Sequence, residues 1–209
     1  MSEWIIHGTA SASPDSKKKA IFCFGGTAMQ MGSIPPFEFL TYLSTLYKDT
    51  DMDLYFYIDK HQCWYQNGLE DITHTIQETA DYLRHKAKSY DTVVFMGVSA
   101  GGYAAILFGS LCRVSHVVSF IPQTRITGKE YTDLALVICP ETTYSLYGDT
   151  QGTDLHDIAH CDHLASFDNV TVVKQDGVHM KELRDTGTIQ AILDRIFLAE
   201  TVAETVIER

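Results

Sequence analysis

The sequence predicts an α/β protein in which a mostly parallel sheet lies between two helical layers, a three-layer α/β/α sandwich. Short apolar runs rich in β-branched and aromatic residues alternate with segments of helical periodicity. A Gly-x-Ser-x-Gly turn joins one such run to a helical segment in the middle of the chain. The 209 residues, 45% of them hydrophobic, suffice for the substantial core of a single domain over residues 1–209.

The strands are predicted from apolar runs that end at glycine, proline or polar residues. The run at 93–96 has the continuous apolar character of a strand that is buried on both faces. Strand–helix–strand units favour parallel strands with right-handed crossovers. The predicted strands are residues 4–7, 20–24, 54–58, 93–96, 114–120, 144–147 and 170–174.

The helices are predicted from apolar residues spaced three and four apart. Residues 35–47 begin with Pro35-Pro36, which is favourable in a first helical turn. Asp154 occupies a cap-like position at the start of another helix. The tail, residues 200–209, extends the last helix or frays. The predicted helices are residues 35–47, 72–88, 102–111, 154–166 and 188–199.

Charge and cysteine usage narrow the possible partners. The net charge of -11 argues against binding to nucleic acid or to an anionic membrane. The five cysteines are odd in number and lie mostly in apolar segments, which favours reduced, buried thiols in a cytoplasmic protein. We see neither a signal-peptide pattern nor an apolar run long enough to span a bilayer.

The segment around Ser99 carries the strongest functional signal. An apolar run, a tight turn flanked by Gly97 and Gly101, and an Ala- and Leu-rich helical segment follow one another. This context predicts a nucleophile elbow, a strained turn with its serine Oγ exposed. The glycines permit close backbone approach where a Cβ would clash. The alternative is an ordinary strand–helix turn with a solvent-facing serine.

Ligands of such sheets bind at the carboxyl ends of the strands, so the residues there are the next candidates. Gly25-Gly26-Thr27-Ala28 follows the first buried strand. An N–H group from Thr27 or Ala28, together with that of Ala100, is expected to form an oxyanion hole. A plain Gly-Gly turn remains the alternative.

Other strand ends supply candidates for binding substrate. Trp64 and Tyr65 lie in a long aromatic loop after the third predicted strand, where they either wall a pocket or pack on the core. Gln123 follows the strand after the elbow. We expect Gly26, Trp64, Tyr65 and Gln123 to border the substrate.

A serine nucleophile needs a base, and His179 has the expected position in chain order, just after the last strand. The chain has nine histidines, so its occurrence there by chance remains an alternative. The triad acid should follow the strand that ends near Gly148. We prefer Asp154, keep Asp149 as the alternative acid and regard Asp157 as possible; a helix N-cap is the other interpretation of Asp154.

Three further histidines form a rival constellation. His156, His160 and His163 are spaced four and three residues apart, which places them on one face of the predicted helix, as in metal-binding helices. No other ligand set accompanies them. We therefore favour a polar surface over a metal site and predict neither metal nor cofactor.

Together these motifs resemble the α/β-hydrolase fold family over about residues 20–199. The resemblance rests on Phe24-Gly25-Gly26, the turn at Ser99 and Asp176-Gly177-Val178-His179. Finer features are similar to small hydrolase-like proteins encoded among surface-polysaccharide and glycan-biosynthesis genes. Those features are Pro36-Phe37-Glu38-Phe39, Trp64-Tyr65-Gln66-Asn67-Gly68, Gly101-Gly102-Tyr103-Ala104-Ala105 and Pro122-Gln123-Thr124. The resemblance implies a Ser99 nucleophile, a His179 base and an acid near Asp154. In a departure from the family pattern, the predicted strands leave little room between them for a lid, so we expect a minimal fold without a large lid and an open site.

The leading hypothesis is a serine esterase or deacylase acting on a small ester or an acylated sugar. An acyltransferase would use the same residues. A non-catalytic glycan- or partner-binding protein is the rival, and the contact between His179 and Ser99 discriminates between them. A metal-dependent hydrolase is a third, weaker hypothesis. The oligomeric state stays open.

Overall fold

A seven-stranded sheet forms the centre of the protein, as described by a computed structural model for residues 1–9, 18–27 and 38–207. The strand order is β1-β3-β2-β4-β5-β6-β7. Six strands are parallel, as predicted, and β1 joins the edge antiparallel to β3. The strands are β1 (Glu3–Ile6), β2 (Lys19–Phe24), β3 (Met52–Tyr57), β4 (Thr92–Val98), β5 (His116–Phe120), β6 (Thr143–Asp149) and β7 (Val170–Gln175).

Six α-helices pack around this sheet in the described part of the chain. The predicted start of the first helix, residues 35–37, lies outside the described residues. A helix that was not predicted, α5, precedes the last one, which continues through residue 207. The helices are α1 (Glu38–Leu46), α2 (Ile76–Ala87), α3 (Ala100–Cys112), α4 (Ala159–Asp162), α5 (Met180–Asp185) and α6 (Thr188–Ile207).

The prediction of one helix over residues 154–166 is wrong. The segment instead contains a short 3-10 helix, Asp154–His156, and the four-residue α4. Asp154 has a left-handed φ of 53° and Asp157 an extended ψ of 138°, and neither conformation fits an α-helix. The histidines of this segment therefore project from two separate elements.

Two apolar clusters cover opposite faces of the sheet and confirm the three-layer architecture. One cluster packs α2 and α3 against buried side chains on one face of the sheet, such as Phe22, Phe24 and Phe95. The other packs α1, α5 and α6 against Ile21, Met96 and their neighbours. Strand β4 is buried along its whole length, as its apolar run predicts.

The register of the sheet places the candidate residues at one edge. Val98 pairs with Phe120 and Phe120 with Tyr147, so Ser99, Gln123 and the loop after β6 leave the sheet at the same level. Asp149 pairs with Gln175, which brings the loop after β7 there as well. The carboxyl edge of the sheet thus collects the loops in which we expect the site.

The cysteines agree only in part with the prediction of buried, reduced thiols. All five are unpaired, but Cys63 and Cys112 are half-buried, and burial raises the pKa of the Cys161 thiol to about 12. The connection from β5 to β6 contains a single 3-10 helix of three residues, Leu134–Leu136, and no helical lid. Among the described residues, no helix is both long and apolar enough to traverse a bilayer.

Candidate active site

Ser99 lies in a strained turn between β4 and α3. Its φ of 56° and ψ of -119° are outside the regions that L-residues favour. A Cβ on Gly101 would lie 2.0 Å from the Phe24 carbonyl oxygen, and one on Gly97 would lie 2.1 Å from the Gly101 oxygen. Only glycine fits at these two positions, as expected from the close backbone approach that such a turn requires. The geometry is that of a nucleophile elbow.

The Ser99 hydroxyl makes two side-chain hydrogen bonds. Its Oγ lies 3.0 Å from Nε2 of His156, and the amide Nε2 of Gln123 donates to the same Oγ at 2.8 Å. Because Gln123 donates to Oγ, the hydroxyl proton is free to point at the imidazole. An imidazole that accepts at Nε2 carries its own proton on Nδ1, so this contact requires that tautomer of His156. A serine hydroxyl within hydrogen-bond distance of an imidazole is the arrangement that a nucleophile and its base require.

A small closed loop between β6 and α4 places His156. Asp149 and Asp157 form an isolated bridge, so the loop begins and ends at neighbouring points. Inside it, the Gly152 N–H donates to the Asp149 carbonyl at 3.2 Å. A Cβ on Gly152 would lie 2.1 Å from the His156 carbonyl oxygen. The backbone contact at Gly152 therefore sets the position of His156.

The predicted base, His179, does not occupy this place. Among the described residues its ring makes no hydrogen bond, and so none to Ser99. A Cβ built on Gly177 would lie 3.0 Å from His179 Nε2, which shows that the ring folds back over its own loop. The expected His179–Ser99 contact is thus replaced by the His156–Ser99 contact, because the loop after β6 reaches across the elbow.

The two candidate acids differ in their surroundings. Asp149 accepts hydrogen bonds from the backbone N–H groups of Gln151, Gly177 and Val178, at 2.8, 2.8 and 3.1 Å. Burial alone would raise its pKa, but these donors and the nearby His179 lower it. Asp154, the preferred acid, is exposed, and within the described residues its carboxylate bonds to neither histidine. Asp157 accepts from the Ala159 N–H at 2.8 Å.

The backbone near the predicted oxyanion hole is partly described. Ala100 is the first residue of α3, and the first N–H groups of a helix lack intrahelical partners. Gly26 is buried and Thr27 half-buried, directly after the strand that packs against the elbow. Ala28 lies outside the described residues. The oxyanion hole formed by the N–H groups of Thr27 and Ala100 stays a prediction.

The long loop after β3 has a different role for each of its aromatic residues. Trp64 is half-buried, and its indole N–H donates to Oε1 of Gln123 at 2.9 Å. Tyr65 is fully buried, and its hydroxyl donates to the Gly25 carbonyl at 3.0 Å. The expectation that Tyr65 borders substrate is therefore wrong: its left-handed φ of 58° turns the ring into the core, against Phe24.

The other two histidines of the metal hypothesis have separate partners. Nδ1 of His160 accepts from the Thr124 N–H at 3.1 Å, and burial lowers the pKa of this imidazole. His163 Nε2 lies 2.7 Å from the Asp133 carboxylate, a contact that lowers the pKa of Asp133. No group of three or more metal-ligating side chains forms among the described residues. The three histidines do not converge.

Comparisons with solved structures show which fold the protein has. An α/β-hydrolase from a metagenome of lagoon sediments at Mar Chica, Morocco, is 12% identical with a TM-score of 0.60, over 92% of this chain and 94% of that one. The fluorophosphonate-binding serine hydrolase FphF of Staphylococcus aureus is 13% identical with a TM-score of 0.61, over 93% and 91%. The protein therefore has the α/β-hydrolase fold.

A third similar structure is the Glycosylation Associate Protein complex from Streptococcus agalactiae. It is 16% identical with a TM-score of 0.57, over 88% of this chain and 42% of that one. No protein-family model matches the sequence. No curated protein matches it either.

Sequence reasoning missed the contact between His156 and Ser99. The residue was grouped with its neighbours as a metal candidate because a continuous helix was expected there. The left-handed turn at Asp154 and the close approach at Gly152 redirect it. Gly152 is the only local signal: a glycine three residues after β6 indicates a tight loop rather than a helix.

Proposed function

We propose that the protein is a serine hydrolase that cleaves carboxylic esters, with Ser99 as nucleophile. The observation that carries this proposal is the strained elbow whose Oγ is 3.0 Å from an imidazole Nε2. Strain of this kind persists at positions where function requires it. The α/β-hydrolase fold supports the same class of reaction.

For the base, the geometry favours His156 over His179. As Oγ attacks the ester carbonyl, its proton passes to Nε2 of His156. The oxyanion accepts hydrogen bonds from the Ala100 N–H and from the backbone near Thr27. His156 then returns the proton to the departing alkoxide, and water or another alcohol takes the acyl group from Ser99. Transfer to an alcohol makes the protein an acyltransferase with the same residues.

The surroundings of Ser99 suit a substrate that is partly exposed. Leu155, next to His156, has 50% of its surface exposed. No helical lid covers the site in the described connection from β5 to β6. A small ester or an acylated sugar with an accessible acyl group fits this open edge better than a long chain that needs an enclosed tunnel.

A second candidate is a non-catalytic hydrolase-like protein that binds a glycan or a partner enzyme. One observation favours it: neither His156 nor His179 is hydrogen-bonded to a carboxylate among the described residues, so no complete triad is assembled. The similar structure from Streptococcus agalactiae belongs to a complex associated with glycosylation. The absence of an activated serine distinguishes this candidate.

Labelling with a fluorophosphonate probe tests the proposal. The wild-type protein should gain a single adduct by intact mass, and Ser99→Ala should gain none, because the probe reacts with an activated serine. Hydrolysis of short p-nitrophenyl esters should fall in parallel. A folded wild-type protein that gains no adduct would contradict the hydrolase proposal and favour the binding protein.

A further inference from the structure

Gln123 connects three segments at the candidate site through one buried side chain. It is 1% exposed and follows β5. Its amide nitrogen donates to Ser99 Oγ at 2.8 Å and to the Leu155 carbonyl at 3.2 Å, while its amide oxygen accepts from the Trp64 indole at 2.9 Å. Leu155 directly precedes His156, so the amide bonds to the nucleophile and to the loop that carries the base.

The orientation of this amide follows from the chemistry of its partners. The indole N–H of Trp64 only donates, so the group that faces it must be the amide oxygen. The Leu155 carbonyl only accepts, so the group that faces it must be the NH₂. Both partners require the same orientation, and it directs an N–H at Ser99 Oγ. The alternative orientation would bury two mismatched pairs.

The backbone is strained in every segment that meets at Gln123. Trp64, Ser99, Ile121 and Asp154 have left-handed φ values of 55°, 56°, 40° and 53°. For a β-branched residue such as Ile121 a positive φ is an outlier. Such strain persists only where the surrounding contacts impose it, and it concentrates at functional sites.

The buried carboxylate of Asp59 helps to hold the strained loop around Trp64. This carboxylate accepts from the N–H groups of His61, Cys63 and Tyr65, at 3.1, 2.7 and 2.9 Å. These bonds tie together the loop in which Trp64 lies. The Asp59 carboxylate thus bonds to the residues on both sides of Trp64, whose indole N–H bonds to Gln123.

We infer that Gln123 is a further catalytic residue, whose amide N–H, oriented by Trp64, donates to the Oγ of Ser99 and directs the hydroxyl proton to His156. This inference rests on the proposed function. Gln123 transfers no proton. It stabilises the negative charge that develops on Oγ as the proton leaves, and it prevents the hydroxyl from donating elsewhere. Trp64 is a positioning residue that acts through Gln123.

The test is the second-order rate of fluorophosphonate labelling. Gln123→Met removes the donor in a side chain of similar length and should lower the rate about 100-fold, as for the loss of one preorganised donor. Trp64→Phe removes the indole donor, so the Gln123 amide can rotate by 180°, and the labelling rate should fall about tenfold. In the double variant, Trp64→Phe should add no further loss, because its effect passes through Gln123.

Gln123→Glu separates catalysis from structure. An ionised carboxylate accepts the Ser99 proton and draws it away from His156, whereas the protonated acid donates as the amide does. The rate relative to wild type should therefore rise as the pH falls, while that of Gln123→Met stays constant. A merely structural role would give no such difference, and thermal unfolding verifies that each variant is folded.

The failures are distinguishable. If wild type labels and the Gln123 variants label at the wild-type rate, the inference is wrong and the proposed function stands. Independent, additive losses in the double variant would contradict the role of Trp64. If Gln123→Met does not fold, the pH dependence of Gln123→Glu and the rate of Trp64→Phe decide the question. A wild type that does not label overturns the proposed function and this inference together.

Discussion

The loops after β6 and β7 both carry an exposed histidine, but they hold it in different ways. The loop after β6 closes on itself at Asp149 and Asp157 and presents His156 to Ser99 at 3.0 Å. In the loop after β7 the His179 ring folds over Gly177, beside the Asp149 carboxylate. His156 contacts Ser99, whereas His179 lies near Asp149 but, in the described part of the chain, makes no hydrogen bond to it.

This difference shows that chain order is a weaker guide than the path of a loop. His179 has the position that the order Ser, acid, His predicts, yet His156 makes the contact. Gly152 lies close to the His156 carbonyl and Gly177 lies close to the His179 ring, so each glycine offers a substitution that should move one histidine and leave the other in place. The comparison can therefore be tested loop by loop.

A large effect is expected from Gly152→Ala, with Gly177→Ala as its matched control. A Cβ at position 152 would lie 2.1 Å from the His156 carbonyl oxygen, so the loop must shift and move His156 away from Ser99. Labelling of Ser99 should fall about 100-fold, the scale of general-base catalysis. At Gly177 the φ of +81° makes alanine strained and displaces His179, but labelling should stay within about threefold.

Thermal unfolding of both variants serves as the control, since alanine destabilises each loop. A Gly177→Ala protein that is folded and loses labelling, beside a Gly152→Ala protein that keeps it, would reverse the assignment of the two histidines. Equal losses in both would mean that the loops act as one unit.

A smaller effect is expected from Asp149→Asn, because the carboxylate is bonded to both loops. The substitution keeps one acceptor oxygen and leaves a backbone donor unpaired, which should lower the free energy of unfolding by about 1–2 kcal/mol at neutral pH. The native contacts lower the pKa of Asp149, so its ionised form stabilises the folded state. That contribution is present above the unfolded pKa of about 3.9 and is lost as the pH falls through the native value.

Chemical denaturation at pH 7 and near pH 3 measures this contribution. The difference between wild type and Asp149→Asn should shrink at the lower pH, because the carboxyl of the unfolded wild-type chain binds a proton there while the native contacts favour the ionised form. A difference that is independent of pH would show that the carboxylate charge does not stabilise the two loops.

The central part of the fold follows from local sequence. The apolar run of β4, the glycines around Ser99 and the Ala-rich α3 each specify one conformation, and all agree with one another. Gln123 could be placed at the same edge of the sheet, as a residue expected to border substrate, since the end of β5 can be located from its apolar run. These features depend on neighbouring residues and hydrophobic periodicity.

The rest depends on contacts between distant segments. Tyr65 looked like a pocket residue because its loop is aromatic, but bonds from Asp59 turn it into the core. The helix is interrupted at Asp154, a residue other than glycine that has a left-handed conformation. A single sequence does not encode these turns in local propensity, so His156 could be listed as a candidate but not paired with Ser99.

The most direct test compares the labelling rates of His156→Ala and His179→Ala with a fluorophosphonate. Both rings are exposed, so both variants should fold, and thermal unfolding verifies this. We predict a loss of about 10²–10⁴ for His156→Ala, the range for removal of a general base, and a change of less than about threefold for His179→Ala. The opposite result, with labelling lost in His179→Ala and kept in His156→Ala, would contradict the pairing of Ser99 with His156.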